Sequence, residues 1–268
     1  MTDNACKICG SEDYSIRLEF RDKKRRIVEC GGCGAWRAMP YFLMDYSSRE
    51  FYCEHYIKNE KLFRGFAGDL VQRISKHRRE GRLLDIGCSV GFLLEEALKL
   101  GFEAEGIELN EKAVDFARSR GLTIKNCGLE NSGYKDNTFD AVCLNHILEH
   151  IVEPAEFLQA VKKIIKEKGI LVIGVPNHDS LIARLAGKSW YGWGIPEHVW
   201  HFDRASLGNL LLNNGFRIRE LIQNSQYYPF SKSLRKNSIA LAARIGDRMG
   251  AGDQLIVIAE KCSTFNIR

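Results

Sequence analysis

The stretch Arg82-Leu-Leu-Asp-Ile-Gly-Cys-Ser-Val-Gly91 decides the fold class of this chain. Its apolar first half has the composition of a buried strand, and its two glycines predict a turn. Apolar residues then recur at helical spacing from about Phe92 to Leu100. A strand, a glycine turn and a helix in this order predict the start of a βαβ unit, in which neighbouring strands run parallel.

The chain beyond this stretch repeats the alternation of strands and helices. Helices of about 10–15 residues are predicted near 110–120 and 154–166, between apolar strand-like runs. The predicted strands are residues 82–87, 102–108, 122–126, 139–145, 170–175, 216–222 and 254–259. We therefore predict an α/β fold with a parallel sheet that helices cover on both faces.

The overall composition excludes several classes of protein. The chain has 268 residues, 45% hydrophobic and 27% charged, which excludes a disordered or collagen-like protein and fits one or two domains. No apolar run reaches the roughly 18 residues of a membrane span, and the first ten residues do not have a signal-peptide pattern. A net charge of +5 does not call for a nucleic-acid partner. We expect a cytoplasmic protein in a reducing compartment.

Four of the nine cysteines form two C-x₂-C pairs that twenty residues separate. The pairs are Cys6 with Cys9 and Cys30 with Cys33. This spacing is typical of zinc sites, because two such turns can aim four thiolates at one tetrahedral ion. Alternating residues at 14–20 and 26–30 predict a hairpin between the pairs. We predict a structural Zn²⁺ ribbon over residues 1–40; scattered structural cysteines and a redox thiol site are the alternatives.

The other five cysteines are isolated, mostly in apolar stretches, which predicts core positions rather than metal ligands. They are Cys53, Cys88, Cys127, Cys143 and Cys262. Four thiolates already saturate a structural zinc site, so Cys53 and His55 are not needed as further ligands.

Residues 41–80 are predicted to form a linker rich in aromatic residues, followed by a helix from about Glu60 to Arg79. This helix ends in the basic cluster Lys76-His-Arg-Arg79. We interpret the cluster as a solvated helix end, where cations also favour the helix dipole. A nucleic-acid patch is the alternative.

A ligand site is predicted where the first two strands of the βα region end, because ligands bind outside the carboxyl ends of such sheets. Gly87 and Gly91 let the backbone approach a ligand closely, and the helix that follows favours an anionic group. Glu108 ends the second strand, where an acidic side chain can accept hydrogen bonds from both hydroxyls of a ribose. The alternative for Glu108 is a surface carboxylate.

From about Arg82 to Glu260 the sequence resembles the class I S-adenosylmethionine-dependent methyltransferases. The matching stretches are Leu84–Gly91, Gly106–Glu108, Asn137–His150, Leu171–Asn177 and Leu255–Glu260. The resemblance implies a Rossmann-like, seven-stranded, mostly parallel sheet with an antiparallel last strand, in a domain of residues 81–268. Ser89 stands where the family has its middle glycine.

The resemblance also implies which residues bind S-adenosylmethionine. They are Asp85, Gly87, Cys88, Ser89, Gly91, Glu108, Leu109, Gly128, Leu129 and Asn145. Asp85 and the glycine turn would face the methionyl part, and Glu108 would hold the ribose. Residues 128–130 would flank the adenine, and the backbone of Asn145 would meet the methionyl amino group. His146, Glu149 and His150 are expected to begin the next helix near the pocket, with a helix-capping role as the alternative for His150.

The stretch Trp190–Phe202, within a predicted acceptor loop at 186–203, contains three tryptophans, two histidines and a glutamate. A loop on the carboxyl side of the sheet is suited to form the methyl acceptor's pocket or its lid. Methyl transfer needs a base where the nucleophile carries a proton, and Glu197, His198 and His201 are the candidates. The alternative is that the tryptophans wedge the loop onto the core and one histidine makes a structural hydrogen bond.

A second resemblance concerns zinc-ribbon methyltransferases that C-methylate nucleotide-linked deoxysugars. Glu197-His198 is similar to their Glu-His pair, which implies a base that deprotonates carbon beside a carbonyl. Ile195 stands where those enzymes tend to have a tyrosine, and this chain is shorter. We expect a methyltransferase that acts on a small molecule, with a sugar or glycan precursor as the first candidate.

Two other functions remain alternatives. An RNA methyltransferase would use the zinc ribbon and the basic helix to hold nucleic acid, although the fourth strand ends Leu-Asn-His rather than in the Asn/Asp-Pro-Pro-aromatic signature of enzymes acting on exocyclic amines. A non-catalytic S-adenosylmethionine-binding or interaction protein is the second. A nicotinamide dehydrogenase is disfavoured, because the turn lacks the G-x-G-x-x-G spacing.

Overall fold

The computed structural model describes residues 5–20, 25–41, 45–47, 50–194, 197–225 and 234–262, which form two sheets and the helices around them. In chain order the strands are β1 (Tyr14–Glu19), β2 (Arg26–Cys30), β3 (Trp36–Met39), β4 (Gly81–Ile86), β5 (Phe102–Ile107), β6 (Ile124–Lys125), β7 (Phe139–Asn145), β8 (Ile165–Pro176), β9 (Trp200–His201), β10 (Phe216–Asn224) and β11 (Gln254–Lys261). The α-helices are α1 (Glu50–Lys58), α2 (Glu60–His77), α3 (Phe92–Lys99), α4 (Glu111–Ser119), α5 (Pro154–Ile164), α6 (Leu181–Ala186), α7 (Arg204–Asn213) and α8 (Leu234–Arg248). Within the described ranges, no helix has the length and apolar character needed to cross a bilayer.

The seven predicted strands form one sheet in the order β10-β11-β8-β7-β4-β5-β6. The pairs from β8 to β6 are parallel, whereas β11 is antiparallel to both β8 and β10. The predicted fold class is therefore confirmed, including the antiparallel last strand. The largest differences from the predicted boundaries are in β8 and β6. Strand β8 begins at Ile165, because this residue already pairs with Phe139 of β7, and β6 contains only Ile124 and Lys125.

The central strands are buried on both faces, which explains why their sequences are continuous apolar runs. In β7 the residues from Ala141 to Leu144 are all fully buried. Helices α2 and α4 cover one face, with Val71 and Val114 in the core, and α5 and α7 cover the other with Leu158 and Leu211. Truncating either leucine to alanine is expected to cost about 2–5 kcal/mol, because a cavity adds to the lost burial.

The small sheet has the order β1-β2-β3-β9 and connects the cysteine-bearing segment with the predicted acceptor loop. Strands β1 and β2 form the predicted hairpin, and β3 pairs antiparallel with β2. The loop contributes β9, in which His201 lies opposite Trp36 and Trp200 opposite Arg37. The loop is therefore fixed at this end to the cysteine-bearing sheet.

The helix predicted near 154–166 is present, but the expectation that His146, Glu149 and His150 begin it is wrong. Residues Leu148–His150 form a single 3₁₀ turn, and α5 begins at Pro154. Proline is favoured in the first turn of a helix and disfavours the α conformation of the residue before it. Glu153 accordingly has a non-helical backbone, with φ −113° and ψ 73°. Glu149 and His150, which precede Pro154, therefore lie outside α5, at the carboxyl end of the sheet.

The basic cluster at the end of α2 contacts the edge of the large sheet. His77 Nε2 lies 2.8 Å from a carboxylate oxygen of Glu220 in β10, and the Arg78 guanidinium donates to the carbonyl of Lys168. Arg73, one turn earlier, pairs with the same Glu220 at 3.7 Å. These contacts favour the interpretation of the cluster as a helix end over a nucleic-acid patch.

The isolated cysteines occupy two kinds of position. Cys53, Cys88 and Cys143 are buried, as predicted, whereas Cys127 and Cys262 are partly exposed. These two residues lie just beyond the ends of β6 and β11, and Cys127 packs against the edge of the core.

Candidate functional site

Two adjoining cavities, each of about 360 Å³, open at the carboxyl ends of β4, β5 and β7. This is the edge at which open α/β sheets bind ligands, and the volumes lie within the range of about 300–1,000 Å³ typical of small-molecule sites. The first cavity lies between the ends of β4 and β5, and the second lies between the β4–α3 turn, α2 and the loop at residues 197–198. Six residues line both cavities: Tyr56, Gly87, Ser89, Asn145, His146 and His150. The two cavities therefore meet at the glycine turn and the end of β7.

The β4–α3 turn needs glycine where the sequence places it. Gly87 has φ +73° and Gly91 has φ +83°, a left-handed conformation that side chains disfavour. A Cβ atom on Gly87 would clash with Ile147 Cδ1, and one on Gly91 would clash with Leu122 Cδ1. Ser89, between them, is also left-handed, with φ +49°. The backbone conformation at Ser89 is thus one that glycine would adopt more easily.

Glu108 is held against this turn by backbone amides. One carboxylate oxygen accepts a hydrogen bond from Ser89 N at 2.9 Å, and the other accepts from Leu109 N and Asn110 N, both at 2.8 Å. The charged carboxylate is thus fixed on the wall of the first cavity. The Asn110 side chain also caps α4 by accepting a hydrogen bond from Ala113 N.

Most of the residues predicted to bind the cofactor line these cavities. The first cavity contains Gly87, Ser89, Glu108, Leu109, Gly128, Leu129 and Asn145, and the second contains Asp85, Gly87, Cys88, Ser89 and Asn145. Gly91 lines neither cavity. It is the residue before α3, and Leu122 fills the space next to it.

Asp85 is a buried carboxyl group on the wall of the second cavity, with 5% of its surface exposed. Burial, and to a smaller extent the negative charge of Glu108, raise its pKa to about 8. A cationic group placed next to Asp85 would reverse this effect. The wall of the second cavity is therefore suited to an ammonium-bearing ligand.

A group of three polar side chains lies on the opposite wall of the second cavity: Glu149, His150 and His198. Glu149 is 1% exposed, and its Oε1 lies 3.2 Å from His146 Nδ1. Burial alone would raise the pKa of Glu149, but the hydrogen bond with His146 and the neighbouring charges of His150, His146 and His198 lower it to about 2. Glu149 is therefore a buried carboxylate among histidines.

The three predicted base candidates are not equivalent in position. Glu197 and His198 line the second cavity, whereas His201 lines neither cavity. His201 is fully buried in β9 beside Trp193, and burial, with the charges of His198 and His178, lowers its pKa well below the usual value. This position does not suit a base that must reach an acceptor.

The tryptophans of the loop are packed as the alternative interpretation proposed. Trp190, Trp193 and Trp200 are all at most 5% exposed, and Trp193 Nε1 donates to the carbonyl of Gly187. They anchor the loop and do not line either cavity. Ile195, noted for its departure from the sugar enzymes, lies outside the described residues.

Sequence reasoning missed the contribution of the segment before α2. Tyr46 and Cys53 line the first cavity, and Tyr56 lines both. Asn110 Nδ2 donates to the carbonyl of Tyr46, which fixes this segment to the N-terminus of α4. The run of aromatic residues was a usable signal, since aromatic side chains outside any predicted strand often cover a pocket. Nothing in their spacing showed that the segment folds back over the sheet edge.

The four cysteines of the small sheet come together as the spacing predicts. Cys6 Sγ lies 3.7 Å from Cys33 Sγ, and Cys9 Sγ lies 3.5 Å from Cys30 Sγ. Sulfur atoms around a tetrahedral zinc ion are about 3.8 Å apart, and those of a disulfide are about 2.05 Å apart.

Both turns that carry the cysteine pairs have the same backbone geometry. Gly10 and Gly34, each directly after a pair, have φ of +77° and +72°, and their amides donate to the carbonyls of Cys6 and Cys30. The repeated turn and the sulfur distances together fit a zinc ion.

Comparison with known proteins gives three findings. A family model described as "Methyltransferase domain" matches residues 58–221, more than half of the chain. A ubiquinone biosynthesis O-methyltransferase of Cereibacter sphaeroides is 30% identical over 129 residues, which are 44% of this chain and 52% of that protein. The chain thus spans about half the length of the curated relatives it matches.

The third finding concerns solved structures. An S-adenosylmethionine-dependent methyltransferase from Archaeoglobus fulgidus has a TM-score of 0.58 and 22% identity, and the match covers 77% of this chain and 99% of that one. A geranyl diphosphate C-methyltransferase from Streptomyces coelicolor A3(2) has a TM-score of 0.56 and 16% identity, and the match covers 82% and 86% of the two chains. At these identities the similarity shows a shared fold.

Proposed function

The chain belongs to the methyltransferase-domain family, and on this premise we propose that it transfers a methyl group from S-adenosylmethionine to a small-molecule acceptor. The observation that carries the proposal is the junction of the two cavities at Gly87, Ser89 and Asn145. A methyl donor on one side of this junction and an acceptor on the other would be held for in-line displacement. S-adenosylmethionine would supply the methyl group on a sulfonium, whose neutral thioether, S-adenosylhomocysteine, is a good leaving group when the new bond to the acceptor forms.

The first cavity is the proposed adenosyl site. Glu108 would accept hydrogen bonds from the two ribose hydroxyls. Its carboxylate is already held in place by three backbone amides. Leu109 and Leu129 would pack against the adenine ring. Asp85, whose carboxyl is buried on the wall of the second cavity next to the junction, would receive the methionyl amino group, with the backbone of Asn145 as a second acceptor.

The second cavity is the proposed acceptor site, with Glu197 or His198 as the base. His198 Nδ1 donates to the carbonyl of Gly192 at 2.9 Å, which leaves its Nε2 able to accept a proton. A sugar or glycan precursor, methylated at carbon beside a carbonyl, is the first candidate acceptor, supported by the resemblance of the Glu197-His198 pair. O-methylation of a hydroxylated acceptor is the second candidate, supported by the activity in the name of the curated relatives.

Calorimetry with S-adenosylmethionine, and with its demethylated product, tests the cofactor proposal. Glu108→Ala is expected to weaken binding about 10-fold to 100-fold, because two hydrogen bonds to a charged group are lost. Glu111→Ala, an exposed carboxylate three residues later, is the matched control and should bind normally. If neither compound binds the wild-type protein, the proposed function is wrong.

Deuterium exchange distinguishes the two acceptor classes. A base that deprotonates carbon beside a carbonyl should exchange that hydrogen with deuterated water when a nucleotide-linked keto-sugar is added, even before methyl transfer. Glu197→Gln should slow this exchange about 100-fold or more if it is the base. Exchange at the wild-type rate in both Glu197→Gln and His198→Gln would exclude these two residues as the base.

The cysteine cluster is proposed to hold a structural Zn²⁺ ion. All four sulfur atoms lie within 4.8 Å of one another, and the surrounding sheet is too small to bury a core of its own. The chain would accordingly divide into a zinc ribbon (1–40), a linker and helix (41–80) and a methyltransferase domain (81–268). Metal analysis of the purified protein, with Cys33→Ser for comparison, tests this assignment.

A further inference from the structure

We propose that Glu149, His150 and His198 form a second metal site, which binds a divalent cation through one carboxylate oxygen and two imidazole nitrogens. Each residue offers one ligand atom, and these atoms all lie within 4.8 Å of one another. Ligand atoms around a tetrahedral zinc ion are about 3.4 Å apart when each bond is about 2.05 Å long. Small side-chain rotations would therefore bring the three atoms to coordinating distance.

Glu149 is the first independent observation that points to a cation. Its side chain is 1% exposed, and its Oε2 is buried with no hydrogen-bond partner among the described residues. A buried carboxylate oxygen of this kind is rare, because both desolvation and the missing hydrogen bond destabilise it. Its other oxygen is occupied, since Oε1 lies 3.2 Å from His146 Nδ1. A cation on the Oε2 side would complete the coordination of this carboxylate.

The two histidines have the hydrogen bonds that metal ligands use. His198 Nδ1 donates to the carbonyl of Gly192 at 2.9 Å, and His150 Nδ1 lies 3.0 Å from the carbonyl oxygen of Glu197 and 2.9 Å from the Tyr46 hydroxyl. The bond to Gly192 fixes the tautomer of His198 and leaves its Nε2 unprotonated, as in protein sites where a ligating histidine donates its other ring hydrogen to a carbonyl. In His150 both contacts use Nδ1, so Nε2 is the nitrogen that would coordinate the ion. The two rings are 4.8 Å apart between centroids and nearly perpendicular.

The fold holds the three residues together from two separate segments. Glu149 and His150 lie on the 3₁₀ turn after β7, and His198 lies on the loop that leads into β9. Val199 N donates to the carbonyl of Glu149 at 2.8 Å, which fastens the loop to the turn at the cluster itself. The relative positions of the ligands are thus set by backbone hydrogen bonds.

The ligand set indicates the ion and the role. Two histidines and one carboxylate bind Zn²⁺ and similar first-row ions and leave open positions for another ligand, as catalytic rather than structural sites do. All three residues line the second cavity. This inference rests on the proposed function, because the open position would then face the acceptor. The ion would select acceptors that present an oxygen ligand, and with His198 used as a ligand, Glu197 remains as the base.

Metal counting on the full-length protein tests the site. After exposure to excess zinc and dialysis, the wild type is expected to retain two zinc ions per chain, one in the cysteine cluster and one here. Glu149→Gln and His198→Gln should each retain one. His77→Gln, which removes a histidine from a pair at the sheet edge, is the matched control and should retain two.

Cadmium-113 NMR of the cadmium-loaded protein provides the second measurement, because it separates sulfur-only from nitrogen–oxygen coordination. Two resonances are expected for the wild type, and Glu149→Gln should lose only the nitrogen–oxygen one. A single sulfur-type resonance in the wild type, or a metal count that neither variant changes, would overturn the proposal. Binding of S-adenosylhomocysteine by both variants verifies that they are folded, and it separates failure of this site from failure of the proposed function.

Discussion

His201 of the acceptor loop lies opposite Trp36 of the cysteine-bearing sheet, as neighbours in an antiparallel strand pair. The Trp36 indole also stacks on the His178 ring, with 4.2 Å between centroids, just after β8. One residue of the small sheet therefore contacts both ends of the segment that carries Glu197 and His198. The position of these two side chains depends on the small sheet, and through it on the four cysteines.

Loss of the zinc ion is expected to lower methyl transfer while leaving cofactor binding intact. Without the ion, β3 loses its support, so β9 and the loop before it can move away from the second cavity. Small displacements of positioning groups reduce rates strongly, and we expect Cys33→Ser to lower turnover about 10-fold to 100-fold. Calorimetry with S-adenosylhomocysteine should give nearly the wild-type affinity, because no residue of the small sheet lines the first cavity.

Cys262→Ser is the matched control for this experiment, since Cys262 lies after β11 and lines neither cavity. Its turnover and zinc content should equal those of the wild type. A Cys33→Ser protein that has lost zinc but keeps full turnover would show that the loop does not depend on the small sheet.

Ser89 is expected to be a strained position where glycine would be at least as stable. Its φ of +49° disfavours a side chain by about 1–2 kcal/mol, whereas glycine adds unfolded-state entropy worth about 0.5–1 kcal/mol. Ser89→Gly should therefore be neutral or stabilising by up to about 1 kcal/mol in urea unfolding. Ser119→Gly, in α4, should instead destabilise by about 0.5 kcal/mol, because glycine is a poor helix former. Equal destabilisation in both variants would contradict strain at Ser89.

The large sheet was predictable because each of its strands is specified locally. The run Ile170–Val175, for example, is apolar throughout and stops at Pro176, and the register then follows from burial on both faces. Because Glu108 and the glycine turn directly follow two of these strands, the sequence also predicted that they lie together at the carboxyl edge of the large sheet. The predicted family and its class I fold are confirmed by these elements and by the family match to residues 58–221.

The connection between the small sheet and the acceptor loop was not predictable in the same way. Strand β9 has two residues and β3 has four, too few to show a period, and more than 150 residues separate them. The histidine–glutamate group was also missed as a unit. Residues 146–150 looked like a helix start, and only the 3₁₀ turn and the hydrogen bond from Val199 bring Glu149 and His198 together.

Asp85 should make the stability of the ligand-free protein fall as pH rises between about 6.5 and 8. Its pKa is raised from 3.8 to about 8 in the folded protein. Between about pH 6.5 and 8 the folded protein therefore keeps a proton on Asp85 that the unfolded chain has lost, and the free energy of unfolding decreases as the pH rises. The contribution of Asp85 to the slope is expected to approach about 1.4 kcal/mol per pH unit. Three groups interact with Asp85: the carboxylate of Glu108 and the thiols of Cys88 and Cys143. Burial raises the pKa values of the two thiols well above their usual value, so the thiols do not titrate between about pH 6.5 and 8.

Urea unfolding at several pH values measures the slope in the wild type and in Asp85→Asn, and the difference between the two slopes is the contribution of Asp85. The lowered pKa values of His178, His198 and His201 act in the opposite direction, and because unfolded histidines titrate around pH 6.5 their contribution extends to about pH 7.5 in both proteins. Binding of S-adenosylhomocysteine, whose amino group is cationic, should release a proton from Asp85 near pH 7. Calorimetry in two buffers of different ionisation enthalpy detects this release, and its absence would place the amino group away from Asp85.

Gly87 is expected to be the residue of the turn that tolerates substitution least, because a side chain there would clash with Ile147. Comparison with Gly121 separates this clash from backbone strain. Gly87 and Gly121 have similar left-handed φ values of +73° and +81°, but a Cβ atom would clash with Ile147 only at Gly87, and Gly121 faces open space. Both alanine substitutions should cost about 1 kcal/mol through backbone strain. Gly87→Ala should cost about 1–3 kcal/mol more through overpacking and also weaken S-adenosylhomocysteine binding. Adding Ile147→Ala should recover part of this extra loss, which a double-mutant cycle in urea measures directly. Equal stability losses at Gly87 and Gly121 would show that close approach at the turn is not what requires glycine.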